Sequence, residues 1–150
     1  MQRLRYLVCQ VEWGAPLGRE DDAVDPSAAT ASDLFAALRA SVQEVLGDAG
    51  YAAVAPALAV RFFSPASRLA VVRVPAEHAA RVRAALTLLR AVRRRAAAVH
   101  VVQVASTARA LREGLRRWSG SVAGALRDAG AEEALLAALG EEAAAAAAAV

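Results

Sequence analysis

A chain of 150 residues suits one domain whose core is large enough to fold without staples, and its single cysteine, Cys9, excludes an internal disulfide. The net charge of +3 hides an asymmetry: between Arg61 and Arg117 thirteen arginines face only Glu77 and Glu113, a local +11, while the remaining segments carry five arginines against thirteen acids. That basic body points to a phosphate-bearing partner. The chain lacks Lys, Asn and Ile, so compositional bias accounts for the choice of arginine over lysine as well as phosphate contact does, and only the placement of the charges is informative. The apolar run Leu7 to Val11 is too short for a signal peptide, and no window approaches the roughly 18 apolar residues of a membrane span. A soluble, intracellular protein with no membrane contact is expected.

The first predicted strand is Arg5 to Glu12, where Leu7, Cys9 and Val11 alternate with Tyr6, Val8 and Gln10. Gly14 to Ala29, with two prolines and the acids Glu20, Asp21, Asp22 and Asp25, reads as a mobile loop tolerant of change. Thr30 and Asp33 have the spacing of a capping box for a helix carrying Leu34, Leu38, Val42, Val45 and Leu46, which Gly47 and Gly50 should stop. Leu58 to Phe63 and Leu69 to Val74 form a predicted hairpin around Ser64 to Arg68. Pro75 suits the first turn of a second helix, with Val82, Ala85, Leu86 and Leu89 as its apolar stripe and Arg93, Arg94 and Arg95 at its end. A fourth strand spans Val99 to Val104. Ser106 can cap a further helix bearing Leu111, Leu115 and Trp118, and Val122 and Leu126 suggest another before Gly130. The Ala- and Glu-rich stretch Ala131 to Val150 reads as a flexible tail behind a single domain of residues 1–130.

This order is the split βαβ arrangement: an α+β, ferredoxin-like or RRM-like βαββαβ antiparallel sheet with extra C-terminal helices. Parity places Leu7, Cys9, Val11, Leu58, Val60, Phe62, Ala70, Val72, Val74, Val102 and Val104 on the helix-covered face, with Tyr6, Gln10, Arg61, Phe63, Arg73 and Gln103 opposite.

The open face invites comparison with RNA-recognition motifs, yet the third strand offers no aromatic there. Tyr6 is the lone stacking candidate, and it reads better as a structural tyrosine beneath a C-terminal helix. Arg83, Arg90 and Arg94 have the spacing of one helical face, and Arg109, Arg112 and Arg116 repeat it on the next helix. These are either solvated faces or phosphate contacts; few acids are interleaved to neutralise them. His100 falls at a core-facing strand position, and neither it nor His78 forms a metal-ligand pair. No phosphate loop or nucleophile elbow occurs, so neither a cofactor nor catalysis by this chain is expected.

Arg5-Tyr-Leu-Val-Cys-Gln-Val11, Leu58-Ala-Val-Arg-Phe-Phe63, Leu69-Ala-Val-Val-Arg-Val74 and Val104-Ala-Ser-Thr-Ala-Arg109 together resemble the small protein subunit of ribonuclease P and ribonuclease MRP, the Pop-five type. The chain departs from that pattern at Ser67 and Arg68, at Val74 and at Ser106. The resemblance implies a non-catalytic subunit bound to the catalytic RNA of these particles and to a TIM-barrel-like protein subunit, in nucleus and nucleolus, in the service of precursor tRNA leader removal, precursor rRNA cleavage or both. Eleven arginines and one tyrosine then become candidate RNA contacts: Arg5, Tyr6, Arg61, Arg73, Arg83, Arg90, Arg93, Arg94, Arg95, Arg109, Arg112 and Arg116. A ferredoxin-like protein-interaction module with no RNA role is the competing expectation.

Overall fold

The computed structural model describes residues 3–65, 68–107 and 109–113. Five strands, β1 (Leu4–Pro16), β2 (Ala59–Ser64), β3 (Leu69–Pro75), β4 (Ala91–Val92) and β5 (Arg95–Ala105), form one antiparallel sheet in the order β2-β3-β1-β5-β4. The helices α1 (Ala31–Val54) and α2 (Ala79–Leu88) cover one face. The α+β, ferredoxin-like expectation is met, with the two-residue β4 as an addition. Of the expected C-terminal helices, residues 109–113 are helical and the rest lies outside the described residues.

β1 and β3 are central, so both of their faces are buried and their sequences are nearly all apolar. Leu7, Cys9, Val11, Val72 and Val74 meet Leu34, Leu38, Val42 and Leu86 in the main core, while Tyr6, Val8, Leu69 and Val71 meet Leu111 on the other face. The Ser41 hydroxyl joins the two helices by donating to Ala85 O at 2.6 Å. Burial pushes the Cys9 thiol up to about 12, so it stays protonated and unreactive.

The capping box forms as spaced: Asp33 N–H donates to Thr30 Oγ1 at 3.2 Å and Thr30 N–H to the Asp33 carboxylate at 3.0 Å. Thr30→Ala is expected to cost about 1 kcal/mol in urea unfolding. Gly47, at φ +75°, breaks α1 as expected, but helical backbone resumes and runs through Gly50 to Val54. Val45 falls off the buried stripe and is exposed.

Two bulges move the predicted parity. In β2, Val60 pairs with Val72 and Phe62 with Val71, so Arg61 is the extra residue; Phe63 therefore packs into the helix-side core and Phe62 on the opposite face. In β5 the extra residue is Val102, so Ala97, Val99 and Val101 face the helices while Val102 and Val104 stay exposed. His100 consequently points outward, 3.4 Å from Glu12, and is not a core histidine.

Candidate nucleic-acid interface

Tyr6 and Arg73 are cross-strand partners on the face away from α1 and α2. The tyrosine ring is nearly buried beside Val8, Val71 and Leu111, in keeping with a structural role. Arg73 Nε donates to Ala57 O at 3.0 Å, and burial together with the nearby Arg61 guanidinium lowers its pKa against an opposing effect of Tyr6. A guanidinium retains its charge through such a shift, so two cations lie near each other here.

The largest difference from expectation concerns the arginine triplet. α2 ends at Leu88, and Leu89 is already extended. Ala91 then pairs with Ala96 and Val92 with Arg95, leaving Arg93 and Arg94 as a two-residue hairpin turn. Both have positive φ, 42° and 61°, the signature of a type I′ turn that ordinarily selects Asn-Gly. Arg83, Arg90 and Arg94 therefore do not share a helical face, and the triplet does not complement a helix dipole. Val92 supplies the reason: it would continue the apolar stripe of α2, but the hairpin buries it equally well.

The acidic segment after β1 closes on this turn and is not a loose loop. β1 itself extends to Pro16, where Gly14 passes so near Ala96 that a Cβ would meet that residue's Cβ at 3.0 Å. Leu17 N–H donates to Arg94 O at 2.7 Å and Val24 N–H to Arg93 O at 2.9 Å, and the Val24 side chain is buried. Arg95, nearly buried, donates through Nε to Val24 O at 2.7 Å, through Nη1 to Gly14 O at 3.2 Å and through Nη2 to the Glu20 carboxylate at 2.5 Å. Arg94 faces Asp22 at 3.9 Å and Arg93 faces Asp33 at 3.4 Å. Each arginine of the triplet thus meets a different carboxylate.

Asp33 is central to this arrangement. Its burial raises the carboxyl pKa, but the hydrogen bonds from Thr30 and then the Arg93 charge outweigh burial and hold it below the usual value. A lowered folded pKa stabilises the protein above the unfolded value of about 3.9, and that contribution is lost as the pH falls through the folded value. Asp33→Asn is expected to remove this share of the acid limb in a stability-versus-pH series, leaving the neutral-pH profile parallel to wild type.

The other candidates are dispersed. Arg83 on α2 and Arg90 beyond it are exposed, and Arg5 is half-buried with Nη1 donating to Leu4 O at 3.0 Å. Thr107, and not Ser106, caps the last described helix by accepting from Ala110 N–H at 3.0 Å. On that helix Arg109 pairs with Glu113 at 3.3 Å, while the Arg112 Nε is buried without a hydrogen-bond partner among the described residues. Arg116 lies outside the described residues. Among those described, no three His, Cys, Asp or Glu side chains converge as a metal site. What composition failed to single out is the set Glu20, Asp22 and Asp33; their signal was the opposition of an acidic segment to an arginine triplet.

The model of the Rpp14/Pop5 family matches residues 5–116. The chain belongs to the Rpp14/Pop5 family. That match takes in all of the strands and helices described above except Leu4, and all twelve candidate residues. The chain is 36% identical over 81 residues to a Schizosaccharomyces pombe protein named "Ribonuclease P/MRP protein subunit POP5", covering 54% of this chain and 58% of that relative's length. It also aligns with a chain from a cryo-EM structure of yeast ribonuclease MRP at 13% identity, over 81% of this chain and 95% of that one, with a TM-score of 0.49, a likeness too loose to carry a functional statement.

Proposed function

We propose that this Rpp14/Pop5 family member is a non-catalytic, RNA-contacting subunit of ribonuclease P, ribonuclease MRP or both, bracing the RNA that performs precursor tRNA leader removal or precursor rRNA cleavage. The observation that carries the reading is the family match over residues 5–116, a span that also holds twelve of the thirteen arginines between Arg61 and Arg117. The exposed Arg83, Arg90, Arg93 and Arg94, and the Arg61 and Arg73 pair on the sheet, offer cations of the kind that neutralise a phosphate backbone.

On this reading the RNA and a TIM-barrel-like protein subunit are its partners, and nucleus and nucleolus its compartments. The exposed Val45 and Leu88, flanking a groove between α1 and α2, suit the protein side of such an assembly. Purification of the tagged protein from its own cells, followed by sequencing of the co-purified RNA, is expected to enrich ribonuclease P RNA, ribonuclease MRP RNA or both. Recovery of no structured RNA above background would overturn the reading.

A further inference from the structure

The triplet at the β4–β5 turn is built in two tiers. Arg95 is committed: its side chain is only 10% exposed and its three donors hold Val24, Gly14 and Glu20. Arg93 and Arg94 stand outside it, their side chains 61% and 71% exposed, and their carboxylate partners lie at 3.4 and 3.9 Å. Those distances exceed the roughly 2.7–2.9 Å of a charge-assisted hydrogen bond, and with both guanidiniums more than half exposed the pairs are screened by water and contribute little to stability. A phosphodiester offers two non-bridging oxygens that a guanidinium can engage as a fork.

The backbone adds an independent observation. Two arginines occupy left-handed positions that glycine would take without strain, in a chain that uses nine glycines elsewhere. Strain of this kind persists where the surroundings impose it and concentrates at functional positions. Of the three left-handed residues other than glycine among those described, Arg68 closes the β2–β3 turn through its N–H to Ser64 O, and the other two carry the loosely held cations.

Resting on the RNA-contacting reading, we propose that Arg93 and Arg94 form a phosphodiester-binding knuckle whose resting occupants are the Asp22 and Asp33 carboxylates, so that RNA engages by exchange. Arg95 and the two backbone hydrogen bonds keep the acidic segment in place whether or not the exchange has occurred. The carboxylates act as a threshold. An isolated weak polyanion does not displace both, whereas a backbone presenting adjacent phosphates does. Breaking Arg–Asp pairs is itself favoured by salt, so the exchange makes binding less salt-sensitive than the number of phosphate contacts alone would dictate.

The test is binding of the full chain to a fluorescent single-stranded oligouridine across a series of salt concentrations. Asp22→Asn/Asp33→Asn is compared with Asp48→Asn/Glu77→Gln, which makes the same change in net charge at two exposed acids that lie outside the acidic segment and pair with none of the three arginines. The first variant is expected to bind roughly fivefold tighter at low salt, with a log-log salt slope steeper by up to about 1.4, two contacts at about 0.7 each. From about 0.1 M salt upward the control should shift affinity less than about twofold with its slope unchanged, as exposed charges away from the turn are screened there. Asp22→Asn alone, which touches no helix cap, should give about half the slope change if the Asp33 substitution perturbs α1. Wild-type binding with the first variant indistinguishable from the control overturns the exchange and leaves the RNA-contacting reading standing. Absence of binding by every protein overturns both.

Discussion

Replacing Arg95 with alanine is expected to destabilise the protein by about 2–3 kcal/mol, the largest loss anticipated for any arginine here. The buried guanidinium serves three acceptors at once, and its removal strips donors from the Val24 and Gly14 carbonyls. The ion pair with Glu20 adds little to the loss, because Glu20 is 70% exposed and water replaces its partner. Most of the effect comes from desolvated carbonyls and from the lost packing of the side-chain stem. Arg95→Met retains the stem and separates the two contributions. Arg95→Lys should recover only part of the loss, since an ammonium cannot present donors in the planar fork that three acceptors require. Urea unfolding measures the total, and hydrogen exchange at the Leu17 and Val24 amides locates it: both bond to the turn and should lose protection before the global transition. A loss under about 0.5 kcal/mol with unchanged protection would show that Arg95 does not anchor the segment.

The parts of the fold that were legible in the sequence are those where one local pattern had one solution. Leu7, Cys9 and Val11 alternate in a central strand, and Thr30 and Asp33 carry their capping geometry in their spacing. The bulges at Arg61 and Val102 left no such mark. A bulge is a two-against-one backbone event, and it reversed Phe62 and Phe63 without any turn residue to announce it. The β4–β5 hairpin was hidden more thoroughly. Val82, Leu86, Leu89 and Val92 satisfy a helical period, Ala96 to Ala98 are good helix formers, and Arg93-Arg94 lacks the glycine or asparagine that marks a tight turn. Sheet pairing with Pro16 and Trp13 of β1 overrides that propensity. For the candidate interface, the excess of charge was legible and its partners were not. Glu20 and Arg95 lie 75 residues apart, and only the sheet brings them together.

Giving the turn the residues its geometry selects should stabilise the protein and weaken its hold on RNA together. In Arg93→Asn/Arg94→Gly, relief of two left-handed arginines is worth about 1–2 kcal/mol each at most. Against this stand the greater chain entropy of glycine when unfolded, about 0.5–1 kcal/mol, and the loss of two long, water-screened ion pairs worth at most about 1 kcal/mol in total. The balance is a gain of about 1 kcal/mol, read as a rise of about 2–4 °C in Tm for a domain of this size. Binding to single-stranded RNA should fall on the order of tenfold at low salt, with a salt slope shallower by as much as about 1.4 if both arginines reach phosphates. The opposed signs make the experiment decisive. A general loss of folded protein would lower Tm and affinity together, and a turn retained only for its shape would raise Tm with affinity untouched. Higher stability with weaker, less salt-dependent binding is the result expected where strain at the turn is kept because its two side chains serve an interface.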